Sequence, residues 1–247
     1  MLLSQQISTQ AGLPPLNIAL ISCEASSTTY STFDSNTNNV GPVVQLLLDH
    51  FAVALKPLEK YSVVNFSLYD ATQEEFPKTS TANLDGFLIP GSLSCAFSDT
   101  PWIIKLRERI TELHRERHKT LGICFGHQVY AHATGGKAMR NPLGPTLYQV
   151  SSKCTEKGIK LFPDVSTFEL LSSHSDIVAT PGRNGVTLMS SDRCEHQLVG
   201  YFDEDDQPFT FTVQSHPEYC CDGKALIESV AKALEEEVIV TSCEAET

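Results

Sequence analysis

The sequence predicts an α/β fold: an open, mostly parallel, flavodoxin-like sheet with helices on both faces and a β-rich second half. Two observations predict it. Apolar runs of strand type alternate with helical periodicities through the first half, and short β-like runs dominate from Ala138 to Val213. Parallel strands require crossover connections, usually helices, so regular alternation points to a sheet covered on both sides. Ligands of such sheets bind at the carboxyl ends of the strands.

The first ~15 residues, ending at Pro14-Pro15, read as a flexible leader. Asn17 to Ile21 is a short apolar run of buried-strand type, and a polar stretch, Ser26 to Asn39, separates it from the next element. Val43 to Lys56 carries apolar residues at helical spacing, and Tyr61 to Tyr69 returns to β-branched and aromatic residues. Leu84 to Ile89 forms a third strand ending in Pro90-Gly91-Ser92. Pro101 then opens a helix whose Ile103, Ile104, Leu106, Ile110 and Leu113 share a face, with Arg107, Glu108 and Arg109 on its solvated side. Thr120 to Ile123 is a fourth strand, and Phe125 to Thr134 a helix stopped by Gly135-Gly136.

Beyond it, strand-like runs are expected at Thr146–Val150, Phe168–Ser173, Thr187–Ser190, Gln197–Phe202 and Pro208–Val213. Asp222 to Val238 is a closing amphipathic helix, and residues 239–247 are an acidic tail, so one domain over 16–238 is the economical division. The chain shows no internal repeat.

With 247 residues, 41% of them hydrophobic and 19% charged, the chain is large enough to close a core without staples. A formal net charge of −12 argues against a nucleic-acid groove or an anionic-membrane patch, both of which need clustered Lys and Arg. A small-molecule substrate suits the balance better. Met1-Leu2-Leu3 turns polar at Ser4-Gln5-Gln6, which is not a signal peptide, and no run approaches the ~20 apolar residues of a membrane span. A cytoplasmic protein is therefore expected. Eight scattered cysteines without a C-x-x-C suggest neither a disulfide framework nor a metal site, and no cofactor is called for. The vicinal Cys220-Cys221 pair is poorly placed for a relaxed disulfide.

The strongest local signal is Gly122-Ile123-Cys124-Phe125-Gly126, a G-x-C-x-G at a strand-to-helix junction. It matches the nucleophile-elbow pattern with cysteine in place of serine. Glycines two residues either side leave room for a sharp turn, and the free N–H groups of a helix's first turn favour thiolate over thiol. Taken alone, Cys124 could equally be a small buried hydrophobe. The second motif is Gln214-Ser215-His216-Pro217-Glu218-Tyr219, after a strand-like run. Proline holds the preceding His216 extended, and an extended chain brings residues i and i+2 to one side. Glu218 can then accept from one ring nitrogen and leave the other for the thiol, the arrangement in which a carboxylate orients a catalytic base.

Together these motifs resemble the triad-type class I glutamine amidotransferases, from about Asn17 to the closing helix. Leu121-Gly122-Ile123-Cys124-Phe125-Gly126-His127-Gln128 is similar to that family's nucleophile signature over its whole length, and Val213 to Glu218 resembles its second signature. The resemblance implies Cys124 as nucleophile, His216 as general acid and base, and Glu218 as the orienting carboxylate. It further implies backbone N–H groups of Gly91 and Phe125 as the oxyanion hole. Gln128, Ser173 and His174 would lie at the substrate, the last two in Ser172-Ser173-His174-Ser175-Asp176.

Two positions depart from the family's pattern: Ser92, where many members have a second glycine, and Ser215, where many have a bulky residue. Neither removes a catalytic atom. Within these 247 residues there is no acceptor-domain or P-loop pattern, so the resemblance is expected to be to free-standing eukaryotic members such as γ-glutamyl peptidases. The sequence leaves open a stand-alone γ-glutamyl hydrolase, a glutaminase subunit serving a separate synthetase chain, or a degenerate regulatory module. An α/β-hydrolase is disfavoured, since the acid follows the histidine.

Overall fold

The computed structural model of the chain describes residues 2–6, 12–24, 33–34, 39–40, 42–56, 59–77, 83–219 and 221–235. In chain order, the first half runs β1 (Leu2–Gln6), β2 (Leu16–Ser22), the two short strands β3 (Phe33–Asp34) and β4 (Asn39–Val40), α1 (Pro42–Leu55), β5 (Val63–Asp70), β6 (Gly86–Ile89), α2 (Pro101–Arg115), β7 (Thr120–Ile123) and α3 (Phe125–Ala133). The second half runs β8 (Lys137–Arg140), β9 (Thr146–Cys154), α4 (Glu156–Leu161), β10 (Thr167–His174), β11 (Asp176–Thr180), β12 (Gly185–Ser190), β13 (Leu198–Phe202), β14 (Pro208–Val213) and α5 (Cys221–Glu235).

One ten-stranded sheet organises the molecule, in the order β1-β5-β2-β6-β7-β14-β13-β12-β9-β10. Its centre, β5-β2-β6-β7-β14, is parallel throughout. Strands β13, β12, β9 and β10 extend it from β14 in antiparallel pairing, which gives the expected parallel sheet with a β-rich extension.

Strand alternation divides the apolar residues between two cores. Strand β2 shows the rule: Ile18 and Leu20 join one cluster with Leu88, Leu121, Ile123 and Phe211, while Ala19 and Ile21 join the other with Phe87 and Ile89. The first cluster is closed by α1, through Leu47, Leu48, Phe51 and Leu55, and by α5, through Leu226, Ile227 and Val230. The second is closed by α2, through Ile103, Leu106, Ile110 and Leu113, and by α3, through Phe125, Val129 and Tyr130. Helices therefore cover both faces.

Some details differ from the sequence expectation. Within the stretch expected to be a leader, Leu2–Gln6 pairs antiparallel with β5 and tiles the sheet edge. Its pattern is too short and too polar to announce a strand, and the pairing comes from an edge that a tertiary neighbour offers. On α2 the apolar face is rotated from the expected one: Ile104 is 37% exposed, whereas Arg109 is buried at 8%. Arg109 lies three residues from Leu106 and four from Leu113, on the flank of the buried stripe, and its guanidinium reaches Glu112 and the Pro77 carbonyl.

β8 and β11 form a small separate ladder, and α4 is a short helix capped by Thr155, neither of them signalled by a long periodicity. α3 ends where Gly135 takes φ +93°. Residues 236–247, most of the polar stretch 26–39, and Cys220 lie outside the described residues.

Candidate active site

Cys124 follows the last residue of β7 and serves as the N-cap of α3, with φ 51° and ψ −101°. A side chain held at positive φ is strained by roughly 1–3 kcal/mol and persists only where its surroundings impose it. The surroundings here are the parallel ladder, which Cys124 continues by donating its N–H to the Val213 carbonyl at 2.8 Å, and the first turn of α3, where Gln128 N–H binds the Cys124 carbonyl at 3.1 Å.

The flanking glycines are required for proximity rather than handedness, since neither takes positive φ. A Cβ on Gly122 would lie 2.8 Å from the Gly126 carbonyl oxygen, and one on Gly126 only 2.0 Å from that of Ile89. The elbow is a place where three backbones touch.

Across from Cys124 stands His216, just beyond β14, whose N–H binds the Leu171 carbonyl of β10 at 2.8 Å. Its Nδ1 lies 2.7 Å from Glu218 Oε1, with both residues buried. The pair closes over a 3₁₀ turn at Pro217–Tyr219, so the chain is extended only up to His216 and then folds back under it. Tyr219 stacks on the imidazole at 5.0 Å between centroids and 25° between planes. With Nδ1 engaged, Nε2 remains for Cys124. Burial pulls the His216 pKa down, but the facing charges and hydrogen bonds of Cys124 and Glu218 outweigh it and hold the imidazole well above its ordinary value.

The sulfur has two further polar neighbours. The Gln214 side-chain amide donates towards Sγ at 3.8 Å, and the thiol points at the Ser173 carbonyl at 3.9 Å. Gln128 donates to Gln214 Oε1 at 3.2 Å and to the Asp176 carbonyl at 2.8 Å, so its amide orients the residue that touches the sulfur. His174 binds the same Asp176 carbonyl through Nδ1 at 3.0 Å. Burial lowers its pKa to about 4, which keeps the ring neutral near pH 7. Ser173 exposes its side chain at the cleft while lending its carbonyl to the thiol.

Ser215 uses its small size: its hydroxyl lies 2.7 Å from that of Ser172 and donates to Gln197 Oε1 at 3.1 Å, in a buried network. A bulky residue there would have no such partners. Gln214 and Tyr219 received no role from the sequence. Both flank His216 within the second motif, and the one available signal was Gln214 standing two residues before it.

Gly91 sits over the pair. A Cβ on it would lie 3.1 Å from His216 Cε1 and 3.7 Å from Cys124 Cβ. Among the described residues neither the Gly91 N–H nor the Phe125 N–H has an acceptor, although each adjoins the sulfur-bearing residue. Every piece lies at the carboxyl edge of β6, β7, β10 and β14. Among the described residues no group of three or more His, Cys, Asp and Glu side chains converges to hold a metal.

A strained cysteine, an imidazole held by a carboxylate and two N–H groups without acceptors among the described residues stand together at one sheet edge, parts that suit the class of cysteine hydrolases. Within it, the chain belongs to the class-I glutamine amidotransferase family, whose model matches residues 52–226. Gamma-glutamyl peptidase 2 of Arabidopsis thaliana is 31% identical over 70% of this chain and 71% of its own length. Gamma-glutamyl peptidase 3 of the same plant is 32% identical over 68% of each chain. The solved structure of a glutamine amidotransferase from Thermotoga maritima shares the fold, with a TM-score of 0.66 at 14% identity, covering 90% of this chain and 99% of that one. The chain is thus a hydrolase of the amidotransferase-like kind. Among the described residues no helix is long and apolar enough to cross a membrane.

Proposed function

We propose that this chain hydrolyses a γ-glutamyl amide bond through a glutamyl thioester on Cys124, acts without a synthetase partner, and prefers γ-glutamyl peptides to free glutamine. The observation that carries the chemistry is the buried 2.7 Å contact between His216 Nδ1 and Glu218, which leaves Nε2 to serve the thiol. Support for the substrate class comes from the two peptidase relatives, and for independence from an oxyanion loop already folded over Cys124.

In this reading the Cys124 thiolate attacks the side-chain carbonyl carbon, and a sulfur–carbon bond forms as the carbonyl π pair moves onto oxygen. The Gly91 and Phe125 N–H groups take up that oxyanion, a contribution of about 3–4 kcal/mol for one well-placed donor. On collapse the carbon–nitrogen bond breaks and the leaving nitrogen takes the proton from His216 Nε2, so ammonia or an amine departs. The neutral imidazole then draws a proton from water as its oxygen attacks the thioester, which releases the glutamyl carboxylate and regenerates the thiolate. Glu218 holds the ring and its charge throughout. Gln128, Ser173 and His174 surround the glutamyl part, Gln128 and His174 by fixing the Asp176 turn and Ser173 by direct contact.

The test measures kcat/KM of the isolated protein on glutamine, glutathione and a γ-glutamyl dipeptide. Turnover of the peptides above glutamine, abolished in Cys124→Ala and His216→Ala, is expected. If no substrate is cleaved until cell extract is added, the glutaminase subunit is the better reading; if neither alone nor with extract, the regulatory module is.

A further inference from the structure

The loop that carries Gly91 is held from two sides by side chains that no catalytic role requires. On one side Glu24, two residues past β2, accepts the Leu93 N–H on its carboxylate Oε1. On the other, Arg140 at the end of β8 donates to Cys95 Sγ at 3.6 Å and lies 2.9 Å from Asp176 Oδ1. Internal bonds stiffen the stretch between: Ser94 N–H donates to Ser92 Oγ at 3.1 Å, and Ser98 N–H to the Cys95 carbonyl at 3.0 Å. Gly91 lies between β6 and the first of these ties.

We infer that Glu24 is a positioning residue for the hydrolysis, clamping the 90–95 loop so that the Gly91 N–H stays aimed at the oxyanion without help from another chain. The Arg140–Cys95 contact is the second tie of the same clamp. The inference rests on the reading of Gly91 as an oxyanion donor and supplies the reason why the isolated chain would be active.

Physical chemistry favours the arrangement. A donor stabilises a developing oxyanion only if it is in place beforehand, because reorganising it during the reaction costs what the hydrogen bond contributes. The loop is anchored at its ends by buried Pro90 and Ala96, but between them Leu93 is 77% exposed and no side chain is buried, so apolar packing does little to fix the middle of it. A charge-assisted bond from a carboxylate to a backbone N–H is about twice as strong as a neutral one. Glu24 supplies that bond from the adjacent strand end, so the loop takes its position from the sheet itself. Ser92 fits here: a second glycine would remove the hydroxyl that receives Ser94 N–H and loosen the same segment.

The experiment compares two reactions of Cys124 in the wild type, Glu24→Ala, Glu24→Gln and Arg140→Gln. Acylation by 4-nitrophenyl acetate forms the sulfur–acetyl bond, passes through an oxyanion and releases 4-nitrophenolate, which absorbs. Alkylation by iodoacetamide forms a sulfur–carbon bond with loss of iodide and needs no oxyanion donor. Glu24→Ala is expected to acylate roughly tenfold more slowly at an unchanged alkylation rate, with Glu24→Gln between it and the wild type, since an amide oxygen still accepts from Leu93. Arg140→Gln should move in the same direction.

Acylation at the wild-type rate in Glu24→Ala overturns the inference, as does an equal fall of both rates, which marks a merely structural role. A wild type that the ester does not acylate at all overturns it too. A wild type that is acylated yet cleaves no γ-glutamyl substrate defeats the proposed substrate class alone, and the ratio of the two rates still decides the clamp.

Discussion

Gly91→Ala isolates the contribution of geometry at this site. The added methyl would stand 3.1 Å from His216 Cε1 and 3.7 Å from Cys124 Cβ, against the ~3.5–4.0 Å at which carbon atoms rest. The imidazole must therefore retreat by roughly half an ångström or the loop must lift by as much. A misplacement of about 1 Å costs on the order of 100-fold in rate. Half of that, with the Gly91 N–H displaced as well, gives an expected loss of about 10- to 100-fold in kcat.

Folding should be untouched by the substitution, because Gly91 does not occupy positive φ and alanine narrows the unfolded ensemble. Gly126→Ala provides the contrast. Its methyl would meet the Ile89 carbonyl oxygen at 2.0 Å, and that oxygen belongs to a central strand that cannot step aside. Overpacking of this kind costs at least about 1–3 kcal/mol, so Gly126→Ala should melt lower or fail to accumulate. The assay pairs steady-state kinetics on a γ-glutamyl anilide with a thermal melt of each variant. Wild-type kcat in Gly91→Ala with a native melt would refute the placement of this loop over the dyad.

Two further expectations concern charge. In Glu218→Gln one of the two charges that raise the His216 pKa is gone, so the alkaline limb of the pH–rate profile should move to lower pH and kcat should fall by about 10²–10⁴-fold. The sign follows from linkage: the protonated imidazole's stabilisation is complete below its unfolded pKa of ~6.5 and is lost as pH rises through the raised folded value. An unmoved limb in Glu218→Gln would show that His216 is not the group titrating there. Among the cysteines, burial raises the pKa of Cys23, Cys95, Cys154 and Cys194, the last to about 12. Brief iodoacetamide treatment at pH 7 followed by mass mapping should therefore label Cys124 ahead of these four, and faster labelling of any of them contradicts the elbow assignment.

The sequence by itself determined the parts of this protein that depend on local spacing. Alternating strand and helix periods fix a parallel sheet with helices on both faces, because each pattern has one apolar face to bury. The elbow was legible because Gly122 and Gly126 stand where three backbones meet, and the His216–Glu218 contact because the two are separated by a single proline. Arg109 and Ile104 exchanged their expected faces because a helical pattern fixes which residues share a stripe but leaves its rotation to the packing partner.

Only the tertiary structure could join what lies far apart in the chain. Glu24 and Leu93 are 69 residues apart and Gln214 and Cys124 are 90 apart, and nothing periodic connects them. The sheet order decides which strand ends become neighbours, and a single side chain reaching across that edge leaves no pattern in the sequence to read.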